Sequence, residues 1–559
     1  MKRLRWQLLI VILALAAIAL LLLGQQPEVQ PVDTTVDIQP VEGGIYTEGL
    51  IGQISRLNPL LDYYNTVDQD IDHLLYSRMF RFDERGNPVS DLVESWGVSQ
   101  DGTVYNFSLL TSARWHDGEP VTSDDILYTI EMLRDPALPI PADLRELWDE
   151  VDVVALDTYL IQFRLPEAFA PFLDYLTFGV APAHLLGGLA VDVMIDDSFH
   201  LSPVGSGPYQ FSQFIVEDGQ ITGVALTASE TYYGERAFID DLVFLTYPDG
   251  PAALEAYQNG DILGISQITS DILADTLAEP NLNTYTGRLP QLSIVLLNLD
   301  NPETPFFGDV FVRRAMLQGL NRQRIIDRQR NGQAIVADGV IFPGTWAYYE
   351  HDEFPEFDSE GAISTLRTAE YTIPADGGSV RAKDDVLLAF TLVHPDTPEH
   401  NGLAKEIKRY WDQIGMDVTL EAVPYDVLMS GYLETHEYQA ALVDLNLFRS
   451  PDPDPYPFWH QAQITNGQNY SQWDDRPASE YLEKARVTLD VEERARLYRN
   501  FQIRFAREIP AIPLFYPVYT YGVDAQVQGV SMGPLFSPAD RLANTPYWFL
   551  QSELTEIGE

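Results

Sequence analysis

The chain has no cysteine among its 559 residues. It can therefore form no disulfide bond, no thiolate metal site and no cysteine nucleophile. The folded state must be stabilised by an apolar core, and 45% apolar residues with 29 Tyr and 26 Phe supply the material for one. We expect a globular protein of two or three lobes, because 559 residues exceed the roughly 250 to 300 that a single core holds.

Positive charge is also scarce. Only 35 Lys and Arg stand against 83 Asp and Glu, which gives a formal net charge of −48. Nucleic acids are bound by basic residues that displace counterions from the phosphates, so this balance excludes them as partners. An acidic surface keeps an exported protein soluble, and we assign the acidic residues that role rather than a specific cation site.

The usual catalytic signatures are missing. The sequence contains no Walker A loop, no G-x-S-x-G, no G-x-G-x-x-G and no H-E-x-x-H. His436 and Glu437 begin the last of these motifs, but Ala440 stands where the second His is required. We therefore predict a protein that is not an enzyme and that uses no cofactor and no metal. A secreted hydrolase with scattered catalytic residues is the alternative from another class.

The N-terminus has the layout of an export signal, because three basic residues precede an apolar run from Leu8 to Leu23. No small-residue cleavage pattern follows, so residues 1–24 are predicted to be either a signal or an uncleaved membrane anchor. Gln25 stands where bacterial lipoprotein signals carry the lipid-modified Cys, which excludes lipid attachment there. The polar, Pro-containing residues 25–41 are predicted to form a flexible tether.

Apolar periodicity predicts alternating strands and helices. Thr122 and Asp125 have the spacing of a capping box before an apolar helical stripe, which predicts a helix from this point. One helical period from Val312 to Ile326 predicts a second helix after Asp309. Near the C-terminus the strand-like residues 509–523 contain prolines, which favour an edge or crossover segment.

The clearest unit lies between Val386 and Val423. It begins with the apolar run VLLAFTLV, continues with a helical stripe that Gly415 ends, and closes with alternating residues from Asp417 to Val423. This order predicts a β-α-β unit and therefore a parallel α/β lobe.

Several sequence blocks together resemble one family. In chain order they are LNPLLDYYN (Leu57–Asn65), WHDGEPVTSDDILYTI (Trp115–Ile130), VGSGPYQF (Val204–Phe211) and VRRAMLQGLNRQRII (Val312–Ile326). Their order and spacing resemble the family 5 extracellular solute-binding proteins of ABC importers, a group of oligopeptide-, dipeptide- and nickel-binding receptors. The resemblance covers the chain from about Gly43 to Phe549.

The resemblance implies an α/β fold of two lobes, a clamp of the periplasmic-binding-protein type with an extra subdomain inserted in the first lobe. The implied first lobe covers residues 42–290 with the subdomain at about 85–200, the second lobe covers 291–500, and 501–559 return to the first lobe. Ligand would bind between the lobes and be enclosed by hinge closure.

The implied function is capture of peptides or peptide-like solutes outside the cytoplasmic membrane and their delivery to the permease subunits of an ABC transporter. We expect a monomer in the periplasm or at the cell surface, either secreted or attached to the membrane through its N-terminal segment. A receptor of the same fold for an oligosaccharide, an opine or a nickel chelate is the alternative, and a surface sensor is a third possibility.

The resemblance also indicates where the ligand binds. The segment Asp444–Tyr470 resembles the cleft-lining part of the second lobe, where peptide-binding members hold the ligand ammonium with an Asp three residues before an acid-Pro pair. Here that position falls on Arg449 if Asp452 begins the pair, or on Pro451 if Asp454 does. An Arg suits an anionic ligand group. Either Asp is the alternative anchor, and Arg449 is then a structural ion-pair partner.

Aromatic residues complete the predicted ligand site. Trp459 and Tyr470 lie in the same segment, and Tyr63, Trp346 and Tyr348 lie elsewhere in the chain. Their rings suit stacking on sugar rings or on ligand side chains. Packing in the core is the alternative role for each of them.

Overall fold

A mixed β-sheet of twelve strands runs through the described part of the protein. The computed structural model describes residues 40–550 apart from residues 84, 376, 447–451 and 534, and at residues 143 and 466 it describes only the backbone. The predicted signal or anchor at 1–24 and the tether up to residue 39 lie outside the described residues. Within the described part, no helix is long and apolar enough to cross a membrane.

The strands of the described chain are β1 (Ile45–Ile51), β2 (Phe80–Phe82), β3 (Pro88–Ser90), β4 (Val93–Val98), β5 (Val104–Leu109), β6 (Asp152–Asp157), β7 (Leu160–Arg164), β8 (Tyr209–Glu217), β9 (Gln220–Ala228), β10 (Asp241–Tyr247), β11 (Gly264–Ile265), β12 (Leu282–Arg288), β13 (Gln291–Leu297), β14 (Ala334–Val336), β15 (Ala382–Lys383), β16 (Val386–Leu387), β17 (Ala389–Pro395), β18 (Asp417–Val423), β19 (Ala440–Asn446), β20 (Ala511–Asp524), β21 (Val527–Gln528) and β22 (Phe549–Leu550).

The longer helices are α1 (Thr66–Leu75), α2 (Ser123–Arg134), α3 (Ala142–Glu150), α4 (Gly250–Asn259), α5 (Val310–Gln318), α6 (Arg322–Gln329), α7 (Ser359–Thr368), α8 (Pro398–Gln413), α9 (Arg476–Val487) and α10 (Val491–Glu508).

Strand β20 joins the two parts of the large sheet, whose order is β18-β17-β19-β13-β20-β11-β1-β10-β9-β8 with β12 and β14 also paired to β20. The first half of β20 pairs with β13 and its second half with β12 and β11. Leu289 and Pro290 link β12 directly to β13. Two chain segments therefore cross between a first lobe, built on β1 and β8–β12, and a second lobe, built on β13, β14 and β17–β19.

The second-lobe sheet is covered by apolar side chains on both faces. Along β13, Leu292, Ile294 and Leu296 belong to one buried cluster, whereas Val295 and Leu297 belong to another. Side chains alternate between the two faces of a strand, so each cluster covers one face. This double covering explains why the sequence of β13 is almost continuously apolar.

A separate antiparallel sheet of order β4-β5-β7-β6 lies within residues 85–200, the range predicted for the inserted subdomain. Helices α2 and α3 and the 3-10 segment Ala170–Leu176 accompany this sheet. Its core is aromatic: Trp148 lies 6.4 Å from Phe163 and 6.2 Å from Phe172, measured between ring centroids.

Two local predictions are confirmed. Helix α2 begins with the capping box of Thr122 and Asp125. The β-α-β unit consists of β17, α8 and β18, whose strands are parallel. Gly415 ends the unit's helix with a φ of 93°, a conformation that favours glycine. Val386 and Leu387, however, form the separate short strand β16 and are exposed.

Two other local predictions need correction. The single helix after Asp309 is two helices, α5 and α6, because Asn321 caps a new helix by accepting the backbone N–H of Arg324. The edge position predicted for residues 509–523 is wrong, since β20 has neighbours on both sides, whereas the crossover position is confirmed. Pro513 lies at the register shift in the pairing with β13, and Pro517 lies between the residues paired with β13 and those paired with β12, positions where a missing N–H is tolerated.

Candidate functional site

The carboxyl ends of the parallel strands in the two lobes point towards the crossover. In the second lobe, Asn446 at the end of β19 pairs with Gln291, the first residue after the crossover. In the first lobe, β11 runs antiparallel to β20 and so heads back towards the crossover, and β1 is parallel to β11. In open α/β sheets, ligands bind at the carboxyl ends of the strands. The candidate site is therefore the edge where the two sets of strand ends face each other.

On the first-lobe side, the loop before α1 lies beside the end of β1. Asn65 Nδ2 donates to Gln53 O at 3.1 Å, and Gln69 Nε2 donates to Tyr63 O at 2.8 Å. These bonds hold Tyr63, a predicted ligand contact, half-buried at this edge. Its neighbour Tyr64 is 72% exposed and contacts the Tyr63 ring edge-on at 5.0 Å.

On the second-lobe side, polar side chains lie near the carboxyl ends of β17 and β19. His400 Nε2 lies 3.3 Å from Asp444 Oδ2, and its Nδ1 lies 2.8 Å from Thr397 Oγ1. Ser293 Oγ donates to the other carboxylate oxygen of Asp444. Burial alone would raise the pKa of Asp444, but the hydrogen bonds from His400 and Ser293 lower it below its usual value. Tyr425, which follows β18, is 58% exposed.

The sequence analysis placed Asp444 at the start of the cleft-lining segment but missed His400 and Ser293, although a signal for the pair of His400 and Asp444 existed. His400 lies in the first turn of the helix that follows β17, and Asp444 lies near the end of β19. Ligands of open α/β sheets bind at the carboxyl ends of parallel strands, and both residues lie at such ends. A prediction of β19 as a strand parallel to β17 would have identified them.

The predicted anchors Asp452 and Asp454 are both engaged by arginines. Asp452 accepts a hydrogen bond from Arg494 Nη2 and another from the hydroxyl of Tyr498 at 3.3 Å. Asp454 accepts two bonds from the Nε of Arg486 at 3.1 and 3.0 Å, and one from its Nη2 at 2.7 Å. A ligand cation would have to compete with these guanidinium groups for the carboxylates.

The predicted aromatic contacts lie in different surroundings. The guanidinium of Arg494 lies 4.8 Å from the ring centre of Trp346, which places Trp346 beside the Asp452 group. Trp459 is only 2% exposed and packs edge-on against Phe505 at 4.8 Å. Tyr470 is buried in the same second-lobe core.

Two further sequence predictions concern this region. Tyr348 donates a hydrogen bond to Asp338. Arg449 lies outside the described residues, directly after β19. Among the residues that the structure describes, no group of three or more His, Asp and Glu side chains is arranged to hold a metal ion.

Comparisons with known proteins agree with this architecture. Residues 87–467 match the family described as "Bacterial extracellular solute-binding proteins, family 5 Middle". The oligopeptide-binding protein AppA of Bacillus subtilis (strain 168) is 25% identical over 528 residues, which cover 92% of this chain and 92% of that protein. The dipeptide-binding protein of Escherichia coli (strain K12) is 25% identical over 509 residues, covering 87% of this chain and 91% of that protein.

A solved structure is also similar. The ABC transporter-associated periplasmic binding protein DppA from Helicobacter pylori, in complex with the peptide STSA, superposes with a TM-score of 0.67 at 22% identity. The superposition covers 93% of this chain and 100% of that chain. Likeness at this level of identity shows a shared fold.

Proposed function

The chain belongs to the family 5 bacterial extracellular solute-binding proteins, and from this membership we propose that it captures peptides outside the cytoplasmic membrane and delivers them to the permease of an ABC importer. The predicted α/β fold class of two lobes is confirmed by the sheet architecture and by the family's solved structures. One observation carries the proposal: the strand ends of the two lobes face each other at the crossover, which two chain segments form. Binding, not chemical conversion, is the proposed activity.

The lobe boundaries belong to the same proposal. The first lobe covers residues 42–290 with the inserted subdomain, and the second lobe begins with β13. We place the return to the first lobe within β20, near Pro517, rather than at residue 501. Phe501 and Phe505 support this placement because both are buried in the core shared with β13.

The decisive experiment is incubation of the purified full-length protein with a pool of tri- to nonapeptides, followed by mass spectrometry of the bound and free fractions. A defined subset should be retained and the masses of the pool should stay unchanged. A retained peptide at about 100 times its Kd should stabilise the protein by roughly 2.7 kcal/mol, read as a higher Tm. New masses that form only when the protein is present would show that it converts the peptides, and would contradict the hypothesis that it only binds them. A parallel incubation with oligosaccharides, opines and nickel chelates tests the alternatives: retention of one of these and of no peptide would keep the receptor function and change the ligand class.

His400 and Arg449 are the residues that we propose for polar contact with the ligand, Arg449 from its sequence position and His400 from the strand-end geometry. A hydrogen bond to a charged ligand group contributes roughly 1.5 to 3 kcal/mol, so His400→Ala or Arg449→Ala should weaken binding about 10- to 150-fold. Lys405→Ala is the control for His400, since Lys405 lies on the same helix and is exposed. A fall of the ligand-free Tm with unchanged affinity would assign the residue a structural role.

The remaining predicted ligand-site residues stay part of the proposal, and the observations that support them differ from residue to residue. Tyr63 and Trp346 are supported by their positions at the strand-end edge and beside Arg494. Asp452 and Asp454 are proposed to shape the loop through their arginines rather than to touch ligand. Trp459 and Tyr470 are proposed to support it from the core.

We further propose that residues 1–24 attach the protein, as a monomer, to the outer face of the cytoplasmic membrane. The apolar run without a small-residue cleavage pattern supports this, and Gln25 removes lipid attachment as a route. Alkaline washing of membranes should leave the protein bound. Recovery of soluble protein with an N-terminus near Gln25 would show a cleaved signal instead.

A further inference from the structure

Three segments of the chain meet at the side chain of His116. One is the turn of residues 115–118 between β5 and α2, to which His116 belongs. The second is the loop of residues 204–208 before β8, which we call the glycine loop, and the third is the end of α1 with the residues after it, 74–77. The turn and the glycine loop belong to two of the blocks that carry the family resemblance, but the candidate site involves neither.

His116 binds the glycine loop through its backbone and through both nitrogens of its ring. The backbone N–H of His116 donates to Gly205 O at 2.8 Å. The backbone N–H of Gly205 donates to Nδ1 of the ring at 3.2 Å. On the other side of the ring, Nε2 lies 3.0 Å from Gly207 O. The ring therefore joins two residues of the glycine loop, about 90 positions away in the sequence.

These partners determine the protonation state of the ring. An amide N–H is only a donor, so Nδ1 must act as the acceptor and carries no proton. A carbonyl oxygen is only an acceptor, so Nε2 must donate, and the single proton of the neutral ring lies there. A charged ring has a proton on both nitrogens, and its Nδ1–H would point at the N–H of Gly205. The contact is therefore compatible only with neutral His116.

The glycine loop is also bound closely to the end of α1. The N–H groups of Ser206 and Gly207 donate to Leu75 O at 2.9 and 2.8 Å. Ser77 Oγ donates to Ser206 O at 2.8 Å. A Cβ atom on Gly205 would lie only 1.9 Å from Leu75 O, so the loop has no room for a side chain at this position. His116 thus holds a loop that in turn packs directly on α1.

Asp117 is the charged group that acts on the ring of His116. Burial lowers the pKa of His116, against the hydrogen bond to Gly207 and the negative charge of Asp117. Burial alone would raise the pKa of Asp117, but hydrogen bonds from His184 and from the N–H of Glu119 hold it below its usual value. Asp117 therefore keeps its charge at mildly acid pH, and a change of charge at this position does not compete with that of His116.

The other segments of the junction contribute few titratable groups. The glycine loop has no ionisable side chain. At the end of α1, burial lowers the pKa of His73 and raises that of Tyr76, so both side chains stay neutral at mildly acid pH. On α2, burial raises the pKa of Asp125, but this carboxylate binds the indole of Trp115 and not the ring of His116. Arg114, at the start of the turn, is exposed.

We propose that protonation of His116 releases the glycine loop from the turn of residues 115–118, so that this junction is tight at neutral pH and loosens on acidification. His116 is a positioning residue, because its partners are backbone groups of the glycine loop. Its effect reaches α1, which begins directly after the loop of Tyr63. The proposal goes beyond the proposed function and requires no bound ligand.

The direction follows from proton linkage. A released His116 has the ordinary pKa of about 6.5, whereas the bound ring cannot take up a proton without losing the bond from Gly205. The contribution of His116 to the junction is therefore fully present above about pH 6.5 and is lost as the pH falls below it. In that range the ratio of released to bound junction should rise by up to about tenfold per pH unit.

Hydrogen exchange of the ligand-free full-length protein, followed by mass spectrometry, tests the proposal. The N–H groups of Gly205, Ser206 and Gly207 are donors in the junction. Their protection, corrected for the intrinsic pH dependence of exchange, should fall from pH 7.5 to pH 5, by up to about tenfold per pH unit below 6.5. In His116→Gln it should be the same at both pH values, because an amide side chain has an acceptor and a donor but does not titrate.

His184→Gln is the matched control, because His184 lies next to the same turn but binds Asp117, with Nε2 2.8 Å from Oδ2. This variant should keep the pH response of the parent. A ¹⁵N NMR titration of histidine-labelled protein is the second readout, with the His116 signal identified by its absence from His116→Gln. It should show the proton on Nε2 at pH 7.5 and titration below 6.5.

Three results would overturn the proposal. The first is pH-independent protection of the glycine loop in the parent, which needs no variant. The second is a His116 ring that titrates at or above pH 6.5. The third is an unchanged pH response in His116→Gln, which would assign the response to another group such as Asp125. Because no ligand is present in these measurements, their failure is distinct from a failure to retain peptides.

Discussion

Arg541 joins three elements of the first lobe through a fully buried guanidinium. Its Nη2 lies 2.6 Å from Glu48 Oε1, and its Nη1 lies 2.6 Å from Asp70 Oδ1, with every side chain largely inaccessible. The hydroxyls of Tyr46 and Tyr521 bind the second oxygen of Glu48 at 2.8 and 2.7 Å. This group ties the C-terminal segment to β1, whose end borders the candidate site.

Removing Arg541 should therefore be strongly destabilising. Arg541→Met leaves two buried carboxylates without their cation, and we expect the free energy of unfolding to fall by about 3 to 5 kcal/mol in urea titrations. Adding Glu48→Gln and Asp70→Asn to the same protein should recover much of the loss, because no uncompensated charge then remains. A loss below about 1 kcal/mol for Arg541→Met would show that the charges are hydrated.

At the residue scale, the sequence indicated that Asp452 and Asp454 make polar contacts, but it did not indicate which residues they contact. Asp452 and Asp454 were selected by their place before prolines, and the structure puts arginines from α9 and α10 on them. Nothing local to residues 452–454 identifies Arg486 or Arg494 as partners, because an ion pair across about 30 to 40 residues depends on helix packing. Trp459 likewise has a ring that suits stacking on a ligand, but the structure buries that ring in the second-lobe core.

At the element scale, short-range signals were sufficient wherever the determinant is local. The helix α2 was predictable because its capping box lies within four residues, and the β17-α8-β18 unit because each period is uninterrupted. The break between α5 and α6 was not predictable, because the apolar period continues without interruption past Asn321, the residue that caps α6. The central place of β20 could not be read from its prolines, because β12 and β13, two of its partners, lie more than 200 residues away in the sequence.

Asp125 gives a test at this scale because its carboxylate holds α2 to two other segments. It accepts the backbone N–H of Thr122 at 2.8 Å, that of Ala183 at 2.9 Å and the indole N–H of Trp115 at 3.3 Å. Asp125→Ala leaves these donors unpaired, and we expect a loss of about 1 to 3 kcal/mol in unfolding free energy. Asp124→Ala is the control, because Asp124 is exposed in the same turn and should change stability by no more than about 0.5 kcal/mol. Equal effects of the two substitutions would refute the capping role.

At the scale of the whole molecule, the candidate site is a product of topology. Its polar groups come from segments separated by more than 300 residues, such as the loop of Tyr63 and the helix of His400. Both segments follow strand ends that point towards the crossover, because two chain segments join the sheets of the two lobes. The family resemblance supplied this arrangement in outline, since the order of the blocks specifies the fold. The individual contacts depend on loops whose conformation no local pattern encodes.

The net charge of −48 predicts how stability responds to salt and pH. Mutual repulsion of surface carboxylates opposes the compact state and is screened over about 10 Å at 0.1 M salt. In the first lobe, burial also raises the pKa of Asp72 and Asp91 above the ordinary value. Their folded forms bind protons more tightly than the unfolded chain does, so this contribution to stability is lost as the pH rises through the raised pKa values. Both effects have the same sign, and the Tm in low salt should be higher at pH 5 than at pH 8.

Adding NaCl from about 0.01 to 0.5 M should raise the Tm at pH 8, because screening weakens the repulsion while buried pairs such as Glu48 and Arg541 are little affected. The rise should be smaller at pH 5, where fewer carboxylates are ionised. Scanning calorimetry on the full-length protein measures both, and tetramethylammonium chloride at equal ionic strength is the control, since screening depends on ionic strength and not on the cation. A Tm that rises with NaCl but not with the control salt would point to specific sodium binding. A Tm that falls with both would mean that ion pairs outweigh the repulsion, and the acidic surface would then have to be treated as locally paired.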